Sequence, residues 1–141
     1  MKINFVHIGF HKTASTYFQK KVFPSIENLK ILNSGVEQWF FKKFININPH
    51  AFNSEQFLKE FKKKLPKDIF DQGYILGLSD ENLSGDIYTG LESRELMLRV
   101  RKCFKDATIL IVIRNQVDYV LSSYSNYVLH GGTKSLKNWI E

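Results

Sequence analysis

The sequence is poor in cysteine and proline and has no long hydrophobic run. Only one of its 141 residues is cysteine and three are proline. Because Cys103 cannot form an internal disulfide, disulfide-stabilised scaffolds and cysteine-rich metal sites are excluded and a reducing compartment is indicated. The longest aliphatic run, residues 109–113, is far shorter than the roughly 18 residues of a membrane span. The amino end lacks the pattern of a signal peptide, so we expect a cytoplasmic protein without a membrane span.

Acidic residues are also outnumbered: 20 Lys and Arg against 14 Asp and Glu give a formal net charge of +6. This excess favours an anionic partner of some kind. Several lysines lie in short runs, such as residues 62–64, and such runs are typical of solvated helix faces. Nucleic-acid-binding elements more often combine arginine with aromatic residues. Solvated helix faces are therefore the favoured interpretation of these runs, and no nucleic-acid partner is expected. Because a lysine-rich surface alone does not identify the anion, the positions of individual cations must decide.

Strand and helix patterns alternate along the chain and predict one α/β domain over residues 1–141. Four apolar segments predict strands, at residues 3–9, 29–32, 73–79 and 108–113. The last is continuously apolar, which favours a strand covered on both faces of a parallel sheet. Gly77, inside the third strand, marks a close approach to the backbone. The expected fold is a doubly wound, mostly parallel sheet with helices on both faces.

Apolar residues at helical spacing predict the intervening helices. The first should begin near residues 14–16, where the hydroxyls of Thr13, Ser15 and Thr16 could cap it, and should end before Pro24. The remaining helices are expected around residues 36–44, 57–65, 96–104, 117–128 and 135–141.

The loop after the first strand, GFHKTAST, has the parts of an anion-binding site. It leads into a helix N-terminus and presents Lys12, three hydroxyls and unpaired backbone N–H groups. It is not a Walker loop, because that motif needs two glycines, whereas Gly9 alone precedes the lysine. The alternative is a capped helix with one exposed lysine.

A second group of polar residues follows the fourth predicted strand. Arg114 leaves that strand and Ser122 lies eight residues later on the next helix, so both could bind a phosphate. Alternatively, Arg114 forms a surface ion pair with Asp118. Ligands of doubly wound sheets bind beyond the carboxyl ends of the strands. The loops at residues 10–16, 80–85 and 114–118 should therefore share one crevice.

Two segments resemble a known family. HIGFHKTASTYFQK is similar to the 5′-phosphosulfate-binding loop of sulfotransferases that use 3′-phosphoadenosine 5′-phosphosulfate (PAPS), and ILIVIRNQVDYVLSSYSNY is similar to their 3′-phosphate-binding segment. The resemblance covers residues 2–127 and matches the amino-terminal portion of bacterial-type members, which are near twice this length. It implies an incomplete P-loop-like sulfotransferase fold. Such a fold would expose apolar edges, so marginal stability or homodimerisation is expected.

The resemblance implies a role for each matching residue. Lys12 would contact the phosphosulfate and its bridging oxygen, and Arg114 and Ser122 would bind the 3′-phosphate. Ala14 stands where many members have glycine, so we expect the turn to avoid positive φ at this residue. Gln116 stands where many members have proline. The turn that cradles the 5′-phosphate would consist of Thr13, Ala14, Ser15, Thr16 and Tyr17.

The catalytic base is less clearly marked. Glu81, in the loop after the third predicted strand, lies in an S-x-E pattern that resembles one branch of bacterial sulfotransferases, although it could simply begin a helix. His11, beside the lysine, is the second candidate, whereas His7 lies inside a strand and is expected in the core. The four histidines and one cysteine show no metal-ligand spacing, and no metal is needed.

The function implied is sulfuryl transfer from PAPS, with 3′-phosphoadenosine 5′-phosphate (PAP) as product, to a hydroxyl or amine of a carbohydrate or small molecule. Two alternatives stay open. A nucleotide or small-molecule kinase predicts Mg-dependent ATP binding and a Walker loop. A non-catalytic module predicts salt-dependent binding of polyanions.

Overall fold

The computed structural model describes residues 2–70 and 72–141. Four strands form its centre: β1 (Phe5–Gly9), β2 (Leu29–Ile31), β3 (Ile75–Ser79) and β4 (Thr108–Val112). All pairs are parallel and the strand order is β2-β3-β1-β4. The predicted α/β class, the parallel sheet and the four strands are therefore confirmed.

Helical segments connect the strands where the apolar spacing predicts them. The segment after β1 starts as α1 (Ser15–Tyr17) and continues as a π-helical stretch (Phe18–Val22) and a 3-10 turn (Phe23–Ser25). The segment after β2 starts as α2 (Glu37–Phe40), continues as a second π-helical stretch (Phe41–Ile45), and is followed by a 3-10 turn (Pro49–Ala51). The remaining elements are α3 (Ser54–Lys64), a 3-10 turn (Glu81–Ser84), α4 (Ser93–Cys103), α5 (Gln116–Leu129) and α6 (Leu136–Ile140). No helix in the described ranges combines the length and apolar character required to cross a membrane.

The first helical segment differs from its prediction in its capping and in its end. It begins at the expected place, but Ala14 occupies the cap position and no side chain caps the helix, so the predicted hydroxyl caps are wrong. Helical turns also continue past Pro24, which lies at the start of the 3-10 turn. Proline is tolerated there because its missing N–H would have had no partner in the first turn.

Aromatic side chains fill the core on one side of the sheet. Phe44 stacks on Phe40 with ring centroids 4.9 Å apart, and it packs against Phe57 with tilted rings at 4.8 Å. All three are buried. Buried Arg99 of α4 donates hydrogen bonds to the backbone carbonyls of Phe44, Ile45 and Ile47. These bonds satisfy carbonyl groups at the end of the second π-helical stretch that have no partner within the helix, and they join α4 to the aromatic core.

A close contact at Gly77 was predicted and is confirmed. A Cβ placed on Gly77 would lie 2.3 Å from the Phe5 ring of the neighbouring strand. The ring occupies the space that any side chain at position 77 would need.

Strand β4 is not covered on both faces, which corrects the sequence prediction. Its residues Ile109, Leu110 and Ile111 are 43%, 39% and 50% exposed. β4 is the last strand of the sheet and pairs only with β1 among the described residues. A continuous apolar run indicates a strand, but it does not distinguish a central strand from an edge strand, since neighbours are set by topology.

Candidate functional site

The loops that follow β1, β3 and β4 meet at one edge of the sheet, because the carboxyl ends of parallel strands lie on the same side. His11 Nε2 lies 3.1 Å from the Gly85 carbonyl oxygen, which joins the first loop to the second. Arg114 Nη1 donates a hydrogen bond to the Lys12 carbonyl at 3.3 Å, which joins the third loop to the first. The structure thus brings together the loops that carry the predicted site residues.

The loop between β1 and α1 adopts a strained backbone. Lys12 and Ala14 have φ values of 64° and 65°, whereas Thr13 between them does not have a positive φ. The expectation that Ala14 avoids positive φ is therefore wrong. The chain must turn from the strand into the helix within five residues, and left-handed residues make so tight a turn possible. Where left-handed residues alternate with right-handed ones ahead of a helix, successive N–H groups can point to one concave side, an arrangement that suits an anion.

The hydroxyls of this loop have different surroundings. The Thr13 hydroxyl donates to the Phe10 carbonyl, so it stabilises the turn itself. The Ser15 hydroxyl is buried and has no hydrogen-bond partner among the described residues. A Cβ at Gly9 would lie 2.1 Å from Ser15 Oγ, so only glycine fits beneath that serine. Thr16 and Tyr17 are exposed at the surface.

The ammonium group of Lys12 is held by a residue that the sequence analysis missed. Lys12 Nζ donates to Asn126 Oδ1 at 2.9 Å, and Asn126 Nδ2 donates to the Tyr88 hydroxyl at 3.1 Å. Asn126 lies four residues after Ser122 on α5, so the two share one face of the helix. This spacing is the signal that could have identified Asn126.

Arg114 lies at the predicted edge and is free of the alternative ion pair with Asp118. Among residues 2–70 and 72–141, a basic side chain lies within ion-pair distance of a carboxylate only at His11 and Glu81, which form an ion pair only when His11 is protonated, and at Arg99 and Glu95. The Arg114 guanidinium is exposed and keeps most of its N–H donors available. Ser122 is half-buried on the helix that follows.

The two candidate bases are neighbours. His11 Nδ1 lies 3.9 Å from Glu81 Oε1, and Glu81 begins a 3-10 turn as its structural alternative predicted. Because the Gly85 carbonyl can only accept, the His11 Nε2 beside it carries a proton. His11 Nδ1 then faces the Glu81 carboxyl group. An imidazole and a carboxylate are both common general bases.

A buried polar network lies beneath these loops. His7 is fully buried, and its Nδ1 lies 2.8 Å from Ser79 Oγ at the end of β3. Asn33 donates to the Ser79 carbonyl and accepts from the Ser79 N–H, both at 3.0 Å. Burial lowers the pKa of His7 below its ordinary value of 6.5. The expected core histidine is confirmed, and the network fixes the ends of three strands relative to one another.

Comparison with protein-family models, with curated protein sequences and with solved structures gives no match to this chain.

Proposed function

We propose that the chain is a PAPS-dependent sulfotransferase domain that moves a sulfuryl group to a hydroxyl or amine of a carbohydrate or small molecule. The observation that carries this proposal is the contact of Arg114 Nη1 with the Lys12 carbonyl at 3.3 Å. Two cationic residues 102 positions apart in the sequence thereby lie at one edge of the sheet. Two cationic residues at one edge favour a ligand that carries more than one anionic group.

The residues at the edge fit such a ligand. The left-handed turn at Lys12 and Ala14 would supply backbone N–H donors, and the Ser15 hydroxyl is buried with no hydrogen-bond partner in the part of the chain that the structure describes. An unpaired buried hydroxyl is costly unless a ligand or water satisfies it. Beside this loop, Arg114 has no carboxylate partner within the described ranges and could bind a phosphate through two parallel N–H bonds. Ser122 would add a further donor there.

PAPS, when bound, supplies a sulfuryl group joined to the 5′-phosphate through a bridging oxygen. Lys12 would stabilise the negative charge that develops on that oxygen. By analogy with other fixed electrostatic contacts, its loss should cost about 3 kcal/mol, or roughly a hundredfold in rate. Glu81 or its neighbour His11 would take the proton of the acceptor.

Calorimetric titration with adenosine 3′,5′-bisphosphate tests the proposal, with AMP as the comparison ligand. The bisphosphate should bind more tightly than AMP, and Arg114→Ala should remove this preference because the 3′-phosphate loses its partner. The matched control is Arg101→Ala, which removes an exposed arginine of α4 and should change neither affinity. Absence of bisphosphate binding, or equal affinity for AMP in the unsubstituted protein, contradicts the proposal.

The net charge of +6 favours a second candidate, a non-catalytic module that binds polyanions. Such a module should bind heparin with an affinity that falls steeply with salt and persists in Arg114→Ala. A dedicated 3′-phosphate site should lose its ligand in the same variant.

A further inference from the structure

A cleft of about 630 Å³ opens beside the carboxyl ends of β2 and β3. One wall comes from the helical segment after the first loop, including Gln19 and Phe23. The other walls come from Asn33 after β2 and from Asp80 and Asn82 after β3. Its volume lies within the range of small-ligand sites.

The cleft lies on the opposite side of the first loop from Arg114. In the sheet order β2-β3-β1-β4, Arg114 follows β4, Lys12 follows β1, and the cleft adjoins β3 and β2. Glu81 belongs to the lining of the cleft and lies 3.9 Å from His11, the residue next to Lys12. The two candidate bases, Glu81 and His11, therefore lie between the cleft and the two cations. A base that removes the proton of an acceptor in the cleft must lie at this position.

The lining combines apolar surface with amide and carboxyl groups. Phe23, Ile26 and Leu29 contribute apolar surface, and Gln19 and Asn82 contribute amides. Sugar rings present C–H faces and hydroxyl edges, and a site that combines apolar side chains with a few amides and carboxylates matches both.

The charge of the cleft is opposite to that of the whole chain. Its lining holds four carboxylic acids, Glu27, Glu37, Asp80 and Glu81, and two lysines, although the chain carries +6 overall. One of these lysines, Lys30, lies 5.0 Å from the centre of the Tyr74 ring. A formal excess of carboxylates over lysines disfavours anionic ligands, favours cationic ones and does not oppose neutral ones.

We propose that this cleft is the acceptor site and that it takes neutral or amine-bearing saccharides but excludes anionic glycans. The role of the cleft as an acceptor site rests on the proposed sulfotransferase function. The saccharide preference follows from the lining of the cleft alone.

Three oligosaccharides test the preference: an N-acetylglucosamine trisaccharide, a glucosamine trisaccharide and a hyaluronan tetrasaccharide, which are neutral, cationic and anionic. Each is titrated into the ¹⁵N-labelled protein at equal ionic strength, with and without adenosine 3′,5′-bisphosphate. The first two should shift the side-chain amide signals of Gln19, Asn33 and Asn82, and hyaluronan should not. Absence of shifts with all three, or equal shifts with hyaluronan, overturns the proposal.

Charge reversal supplies the second arm. Glu27 and Glu37 are exposed, so Glu27→Lys with Glu37→Lys should fold, weaken the glucosamine trisaccharide at least about tenfold and admit hyaluronan. The control, Glu55→Lys with Asp106→Lys, makes the same charge change at exposed positions outside the cleft and should leave binding unchanged. Equal effects of both variants overturn the assignment of the cleft. If the saccharide preference holds but the bisphosphate does not bind, the saccharide site stands and the sulfotransferase function fails.

Discussion

The Lys12 ammonium donates a 2.9 Å hydrogen bond to Asn126 Oδ1, across 114 positions of sequence. Because an ammonium group has three N–H donors, this bond leaves two for a ligand. Asn126 in turn donates to the Tyr88 hydroxyl. The lysine is therefore held in place before any ligand arrives.

We predict that Asn126→Ala weakens adenosine 3′,5′-bisphosphate binding. Without its partner, Lys12 regains rotamer freedom worth roughly 1–2 kcal/mol, which binding must then remove, so the dissociation constant should rise about fivefold to thirtyfold. Calorimetry measures the change. Ser125→Ala is the control, because within the described ranges the Ser125 hydroxyl bonds only to the Leu121 carbonyl of its own helix. Equal affinity in both variants contradicts a positioning role for Asn126.

A methyl group at Gly9 should destabilise the first loop. Since the added Cβ would lie 2.1 Å from Ser15 Oγ, Gly9→Ala should lower the free energy of unfolding by about 1–3 kcal/mol. The double variant Gly9→Ala with Ser15→Ala removes the clashing oxygen and should regain part of this loss. Urea unfolding of the unsubstituted protein, Gly9→Ala, Ser15→Ala and the double variant gives the coupling energy between the two residues. Strictly additive effects would show that the two residues do not meet.

Ala14→Gly should stabilise the protein, because Ala14 has a φ of 65°. Relief of left-handed strain is worth roughly 1–2 kcal/mol, and the greater freedom of glycine in the unfolded chain offsets roughly 0.5–1 kcal/mol. The expected net gain is about 0.5–1 kcal/mol in urea unfolding. Ala51→Gly, in the 3-10 turn Pro49–Ala51, is the control and should destabilise. A loss of stability in Ala14→Gly contradicts the strained turn.

Stability should fall as the pH drops below about 6.5, the ordinary pKa of histidine. Burial lowers the pKa of His7, so the unfolded chain binds a proton at a pH where the folded protein does not, and acid favours unfolding. The loss is at most about 1.4 kcal/mol per pH unit and ends below the folded pKa.

Urea unfolding at about pH 7.5 and about pH 5.5 measures this effect. His7→Asn should show a smaller difference between the two conditions than the unsubstituted protein. Exposed His50 is the control site, and His50→Asn should keep the full difference. Burial also raises the pKa of Asp80, so protonation of Asp80 favours the folded protein and opposes the effect of His7. This contribution is common to all three proteins and cancels in the comparison. Identical pH dependence in all three contradicts the assignment to His7.

The exposed edge strand β4 should cause self-association. Ile111 is 50% exposed and the outer edge of β4 is unpaired within the described ranges, a combination that favours edge-to-edge pairing. Sedimentation velocity should show concentration-dependent association that Ile111→Lys reduces. Ile140→Lys, at a 59% exposed position of α6, should not reduce it. A protein that is monomeric at all concentrations contradicts this prediction.

The sequence by itself determined the four strands, the approximate places of the helical segments and their order. Residues 108–113 predicted β4 because β-branched and aliphatic residues prefer strands, and the spacing of Phe57 and Phe61 predicted the buried face of α3. Gly77 predicted a close contact, since a strand interior rarely keeps glycine without one. The three loops at one edge followed from parallel connectivity alone.

Only the tertiary structure decided which residues meet and which surfaces stay open. The bond between Lys12 and Asn126, the position of β4 at the sheet edge and the acidic cleft beside β2 all depend on contacts between distant parts of the chain. The left-handed Ala14 shows the same limit, because its intrinsic preference was overridden by the short path from β1 to α1. Local patterns reflect the energy of single segments, whereas these features depend on how segments pack, which no single segment encodes.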